Sequence, residues 1–265
     1  MCRHLAYLGP PATLRSVIID PPHGLYRQAW APRLQRYGTV NADGFGIGWY
    51  VPGDPEPARY RRTGPIWGDE SFADVARVTT ARALVAAVRS ATAGTDMGSA
   101  AIAPFASGRW LFSHNGTIDG WPESVARLAA SLPTASLLGL EARVDSALLW
   151  ALVRHRLHLG LPPAGALADT VEALRAAGVT GRFNFLLTDG LVIAATAAGD
   201  TLWYRSGPTV IVASEPDDDE PGWTEIPCGS VVTATPRRVS VAELAAPNVQ
   251  TTQDRNTEDG RIAIR

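Results

Sequence analysis

The 265-residue chain carries a formal charge of -2, with 24 basic residues against 26 acidic ones, and only 19% of its residues are charged. That balance gives no electrostatic footprint for nucleic acid or for an anionic membrane, so a small molecule is the expected partner. Every basic residue is arginine, and the absence of lysine excludes a Schiff-base lysine, a pyridoxal-phosphate anchor and a phosphate-loop lysine.

Residues 1–8 alternate roughly and run into Gly9-Pro10-Pro11, the pattern of a short strand closed by a turn. Residues 44–51 alternate glycine with large apolar side chains, which suits a strand that another backbone or a ligand approaches closely. Further strands are predicted over 84–88 and 109–113. Helices follow over 121–132, 144–157 and 164–177, the second with Leu148, Leu149, Leu152 and Val153 on one apolar face. Strands over 183–188, 191–196, 201–204, 210–214 and 230–234 come at hairpin spacing. Strands outside and helices between predict an α+β fold in which antiparallel sheet packs on helices.

The acidic run Glu215-Pro216-Asp217-Asp218-Asp219-Glu220 reads as a solvated loop rather than a metal site. His155 and His158 lack a third ligand and make a poor zinc pair. Two cysteines are too few for a disulfide framework, and Cys228 reads as an ordinary buried or turn cysteine. With neither an apolar run of about 18–20 residues nor a basic-then-apolar leader, the chain is expected to be soluble and cytoplasmic. Residues 1–246 are expected to form a single domain and the polar stretch 247–265 a poorly ordered tail. Whether the chain forms a homo-oligomer stays open.

Four places could carry chemistry. Cys2 becomes the N-terminal residue once Met1 is removed, which puts a thiol and a free α-amine on one residue. The amine can then act as the nucleophile's own base, although an isolated cysteine is more often a small buried hydrophobe. Asn115-Gly116, after His114, is either a hairpin corner or a pair of donors for an oxyanion hole. Arg89, with Thr92 nearby, could hold a substrate carboxylate in its planar fork or pair with a protein carboxylate. Asp145 could cap the best helix or bind an ammonium. Arg89 and Asp145 together would read the two α-charges of a γ-glutamyl group.

Met1-Cys2, Asp43-Gly44-Phe45-Gly46, Arg89-Ser90-Ala91-Thr92, His114-Asn115-Gly116, Asp145-Ser146 and Phe183-Asn184-Phe185-Leu186-Leu187 occur in this order. The ordered set, spanning residues 1–215, resembles the class II glutamine amidotransferases. The resemblance implies the four-layer αββα sandwich of N-terminal-nucleophile hydrolases, with mostly antiparallel sheets. It implies Cys2 as nucleophile, Asn115 and Gly116 as oxyanion hole, Arg89 and Thr92 on the glutamyl α-carboxylate, and Asp145 on the α-ammonium. His114 falls on the substrate-binding side, and neither metal nor organic cofactor is implied. Within the family the chain is similar to the branch of ergothioneine biosynthesis that removes the γ-glutamyl group from γ-glutamyl-hercynylcysteine sulfoxide. Ala87, Ala103 and Ala147 depart from the wider family pattern and hint at a pocket altered on the leaving-group side. A glutaminase subunit that feeds ammonia to a separate synthetase, or a non-catalytic binding protein of the same fold, are the alternative expectations.

Overall fold

The computed structural model describes residues 2–92 and 94–244, so the predicted tail and the last residues of the predicted domain lie outside the described residues. In chain order the elements are β1 (Arg3–Thr13), α1 (Leu14–Ile18), α2 (Leu25–Gln28), β2 (Gly44–Trp49), β3 (Ala58–Arg62), α3 (Glu70–Val78), β4 (Thr80–Arg89), β5 (Phe105–Ser107) and β6 (Trp110–Ile118). Then come α4 (Ala126–Ala129), α5 (Thr134–Leu138), α6 (Asp145–His158) and α7 (Pro163–Ala176). The chain closes with β7 (Gly181–Thr188), β8 (Ile193–Ala197), β9 (Trp203–Ser206), β10 (Val210–Ala213), β11 (Thr224–Glu225), β12 (Ser230–Thr235) and β13 (Arg238–Glu243).

The strands form a seven-stranded sheet ordered β11-β9-β10-β1-β4-β2-β3 and a six-stranded sheet ordered β13-β12-β8-β7-β6-β5. Their pairings are antiparallel. Side-chain alternation along each strand produces three core layers. Ala6, Leu8, Ala83 and Val85 of the first sheet meet Leu111, Leu186, Ala195 and Val232 of the second between the sheets. The opposite parity of the first sheet, Leu5, Tyr7, Leu84, Ala86 and Val88, packs with Leu14, Ile18 and Phe72 of the α1 and α3 layer. Phe112, Phe183, Phe185 and Leu187 on the far face of the second sheet pack on Leu148, Leu149, Leu152 and Leu167 of α6 and α7. The result is the predicted four-layer αββα sandwich.

Local chemistry sets several boundaries. Thr13 caps α1 by accepting from the Ser16 N–H at 3.1 Å, and Asp69 caps α3 through the Phe72 N–H at 3.2 Å. The strand β1 does not turn at Gly9-Pro10-Pro11 as expected but continues to Thr13, with its register against β4 shifting between Leu8 and Ala12. Pairing with β10 ends at Leu8, so the missing proline N–H groups fall beyond that ladder. The helix expected over 121–132 shortens to a 3-10 turn (Glu123–Val125) and α4, bracketed by Pro122 and Pro133. The strands expected over 191–196 and 201–204 begin two residues later, as β8 and β9.

The acidic run corrects an expectation. Glu215 is fully buried, not solvated, and its carboxylate accepts from the Arg33 and Leu34 N–H groups at 2.9 and 2.7 Å. Asp218 accepts from Arg205 at 2.7 Å and from Trp223 Nε1 at 3.0 Å, while Asp219 meets Arg33 and His23. The run therefore clamps the segment that leads from α2 into β2. Burial raises the Asp217 carboxyl to about 6, opposed by Arg205 at 3.6 Å and reinforced by the neighbouring Asp218 charge. Because that folded value lies above the ordinary carboxylate value, the folded state binds the extra proton, and stability falls as pH rises from about 4 through 6. Asp217→Asn should therefore raise the melting temperature by about 2–6 °C at pH 7.5, reflecting about 1–3 kcal/mol of relieved desolvation. The gain should vanish at pH 4 in scanning calorimetry; an equal gain at both pH values would remove this account.

Candidate active site

The alternation that builds the inter-sheet core also aims the polar residues. Cys2 and His4 share the parity of Ala6 and Leu8, and Arg89 shares that of Val85 and Ala87. On β6, Ser113 and Asn115 share the inward parity of Leu111, and on β7 Asn184 shares that of Leu186. Cys2, Arg89 and Asn115 thus converge at one end of the space between the sheets.

The backbone nitrogen of Cys2 donates to Asn115 Oδ1 at 3.1 Å, and Sγ lies 4.0 Å from the Ser90 carbonyl. Asn115 is fully buried, and its Nδ2 finds no partner among the described residues. A buried amide donor without a partner is costly in a folded protein unless a ligand oxygen uses it. Arg89 is also buried. Its Nη2 donates to the Asp96 carbonyl at 2.8 Å and to Thr95 Oγ1 at 3.3 Å, while Nη1 is buried and unpartnered. A narrow cleft lined by Cys2, Ala87, Arg89, Ile102, Ala103 and Ser146 runs between Cys2 and Arg89. Two of the three alanines that depart from the family pattern, Ala87 and Ala103, stand on its wall.

His114 borders the cleft, yet both of its ring nitrogens are held by protein groups. Nε2 donates to the Arg182 carbonyl at 2.9 Å, which leaves Nδ1 to accept from Ser146 Oγ at 2.9 Å. Burial lowers its pKa despite the nearby Asp145 charge, so the ring is neutral at pH 7. Asp145 is the first residue of α6, with Val144 in the capping position. Its carboxylate accepts from the Ile118 N–H at 3.1 Å and the Ser146 N–H at 2.7 Å, which ties α6 to the end of β6. Thr92 is exposed, and its carbonyl accepts from Thr95 Oγ1 at 2.7 Å.

Several further residues shape the backbone around the cleft. Asp43 accepts from the Ala91 N–H at 2.7 Å and donates its own N–H to the Arg89 carbonyl at 2.9 Å, so it fixes the chain on both sides of Ser90. A Cβ on Gly46 would collide with the Ala103 carbonyl, which identifies the backbone that the glycine alternation anticipated. Gly116 has a φ of 155°, and a Cβ there would run into the Arg182 carbonyl, the same oxygen that His114 holds. His4 is fully buried against Ser113 Oγ at 3.1 Å; burial, with His114 and Arg3 nearby, holds it well below the usual imidazole range. Asn184 uses its Oδ1 on the Ala198 and Asp200 N–H groups, shaping the turn after β8.

The sequence model for glutamine amidotransferases class-II matches residues 27–208. The chain belongs to the class II glutamine amidotransferases. Among curated members, the gamma-glutamyl-hercynylcysteine sulfoxide hydrolase of Mycolicibacterium smegmatis is 42% identical over 247 residues, covering 92% of this chain and 100% of the relative. The hydrolase of the same name from Mycobacterium tuberculosis is 39% identical over 246 residues, covering 92% and 97%. A glutamine aminotransferase class-II domain protein from Silicibacter pomeroyi superposes with a TM-score of 0.68 at 26% identity, covering 92% of this chain and all of that one. The Bacillus subtilis glutamine phosphoribosylpyrophosphate amidotransferase shares the fold at a TM-score of 0.64 and 15% identity, matching 49% of that longer chain. Among the described residues, no helix is long and apolar enough to cross a membrane. No cluster of three or more His, Cys, Asp or Glu suited to a metal occurs among them either. His155 and His158 sit in the last turn of α6, and Cys228 is exposed in the turn before β12.

Proposed function

We propose that this chain hydrolyses the γ-glutamyl amide bond of γ-glutamyl-hercynylcysteine sulfoxide, in the cytoplasm, and that Cys2 carries the reaction. The observation that supports the roles best is the meeting of the Cys2 nitrogen with Asn115 Oδ1 at 3.1 Å, which leaves the buried Nδ2 without a partner among the described residues, while Cys2 and Arg89 line one cleft. With Met1 removed, the α-amine of Cys2 takes the thiol proton, and the thiolate attacks the γ-carbonyl carbon. Negative charge on the carbonyl oxygen is met by Asn115 Nδ2 and the Gly116 N–H. The C–N bond then breaks, the ammonium of Cys2 protonates the leaving nitrogen, and a glutamyl thioester remains. Water, deprotonated by the same amine, attacks the thioester, and glutamate leaves as the thiol is restored. Arg89 Nη1 holds the glutamyl α-carboxylate, with Thr92 at its edge. Asp145 holds the α-ammonium, while His114 steadies Ser146 and the Arg182 carbonyl behind it.

The test is a comparison of purified protein on the sulfoxide conjugate and on free glutamine. The conjugate should be preferred in kcat/KM by about 100-fold or more, because a site built around a leaving group penalises a substrate that lacks it. Preferred turnover of free glutamine would instead make the chain an ammonia-releasing glutaminase.

A further inference from the structure

Strand order gives Cys2 two different sides. β1 lies between β4 and β10 in one sheet, and β6 lies between β5 and β7 in the other. β1 packs over β6 and β7, while β4 packs over β6. The Arg89 cleft, walled by β4 and β5 residues, therefore occupies one side of Cys2. On the other side stands Arg182 of β7, which shares the inward parity of Asn184 and Leu186 and pairs with Thr117, next to Gly116.

The Arg182 guanidinium is held in a defined pose. Its Nε donates to Asp200 Oδ2 at 3.2 Å, and that carboxylate is almost wholly buried. Its face covers the Tyr37 ring at 4.7 Å from the centroid. Tyr37 is itself 57% exposed and belongs to the segment between α2 and β2. That segment is pinned at one end by Glu215 on Arg33 and Leu34 and at the other by Asp43 on Ala91. The only hydrogen bond of the Arg182 side chain among the described residues is the one through Nε. An arginine fixed along one edge and backed by an aromatic face presents its remaining Nη edge as a bidentate receptor for a carboxylate.

We propose that Arg182, oriented by Asp200 and Tyr37, binds the carboxylate that an amino-acid leaving group carries beside its scissile nitrogen. The inference rests on the γ-glutamyl hydrolase reading above and adds the substrate feature that the site selects. When a γ-glutamyl group is joined to an α-amino acid, the carbon attached to the scissile nitrogen bears a carboxylate. With the glutamyl moiety seated against Arg89, that carboxylate falls on the far side of Cys2. Free glutamine presents only –NH2 there, so it cannot use Arg182.

The test uses two conjugates, one with the leaving group's carboxylate and one with a neutral carboxamide in its place. For the wild-type protein the carboxylate form should be favoured in kcat/KM by about 10- to 100-fold, the range for one charge-assisted pair in a partly buried site. In Arg182→Gln, which keeps a donor for Asp200, that ratio should collapse towards one, chiefly through KM. Arg182→Lys should recover part of it. Tyr37→Ala, a change at an exposed position, should lower the ratio in the same direction and supplies the test if Arg182→Gln does not fold. A wild-type protein that treats both conjugates alike, or a ratio unchanged in the folded variants, would overturn the proposal while leaving hydrolysis intact. Turnover of neither conjugate would overturn the hydrolase reading itself.

Discussion

A Cys2→Ala variant should lose about 10,000-fold or more of its glutamate release from the sulfoxide conjugate while keeping its fold. Removing the nucleophile of a covalent mechanism leaves only positioning and oxyanion stabilisation. Alanine keeps the α-amine and its contact with Asn115 Oδ1, 3.1 Å away, so the substitution tests the thiol alone. Far-ultraviolet circular dichroism would confirm that the sandwich persists. A complementary measurement is intact mass: material that retains Met1 has an amide in place of the basic amine, and it should be as inactive as the alanine variant. A glutamine-mimicking electrophile should add once to processed wild-type protein and not at all to Cys2→Ala. Undiminished glutamate release from the alanine variant would end the thioester mechanism.

The fold was legible where the sequence repeats a period and obscure where edge chemistry breaks it. β2, β7, β10 and α6 carry alternation or a broad apolar face, and their expected ranges fall close to the observed ones. β3 and β13 were missed because each is the outer strand of its sheet and reads Ala-Arg-Tyr-Arg-Arg and Arg-Val-Ser-Val-Ala-Glu. Charged side chains on an exposed edge discourage pairing with another molecule, and they also erase the apolar signal. α1 and α3 are short, and their caps become visible only once the strands around them are placed.

The site shows a similar division. Cys2, Arg89 and Asn115 could be named from local chemistry, and the inward parity of their strands explains how residues so distant in sequence meet. What no local pattern conveyed is the second layer. Arg182 comes close to Gly116 only because β7 pairs with β6 in the register that sets it opposite Thr117. The acidic run was misread as solvated because its partners, the backbone N–H groups of Arg33 and Leu34, lie about 180 residues away. Composition registers a cluster of carboxylates, but only the fold supplies the donors that make their burial tolerable.

Asn115→Asp separates the two functions that the geometry assigns to one side chain. Aspartate preserves the oxygen that accepts from the Cys2 nitrogen and replaces the unpartnered Nδ2 donor with an acceptor of the same shape. If Nδ2 stabilises the developing oxyanion, kcat should fall by about 100- to 1000-fold with little change in KM, because the lost interaction strengthens mainly in the transition state. A carboxylate at this position would also oppose negative charge on the reacting oxygen, so the loss should lie towards the upper end of that range. Asn115→Ala removes both the donor and the contact with the amine, and it should be at least as damaging. A single-turnover experiment with the electrophile gives the discriminating result. Asn115→Asp should still place Cys2 and its amine correctly, yet form the adduct slowly when the probe develops an oxyanion. If Asn115→Asp lost substrate affinity instead of kcat, the Nδ2 atom would belong to ground-state binding, and the oxyanion would have to rely on the Gly116 N–H.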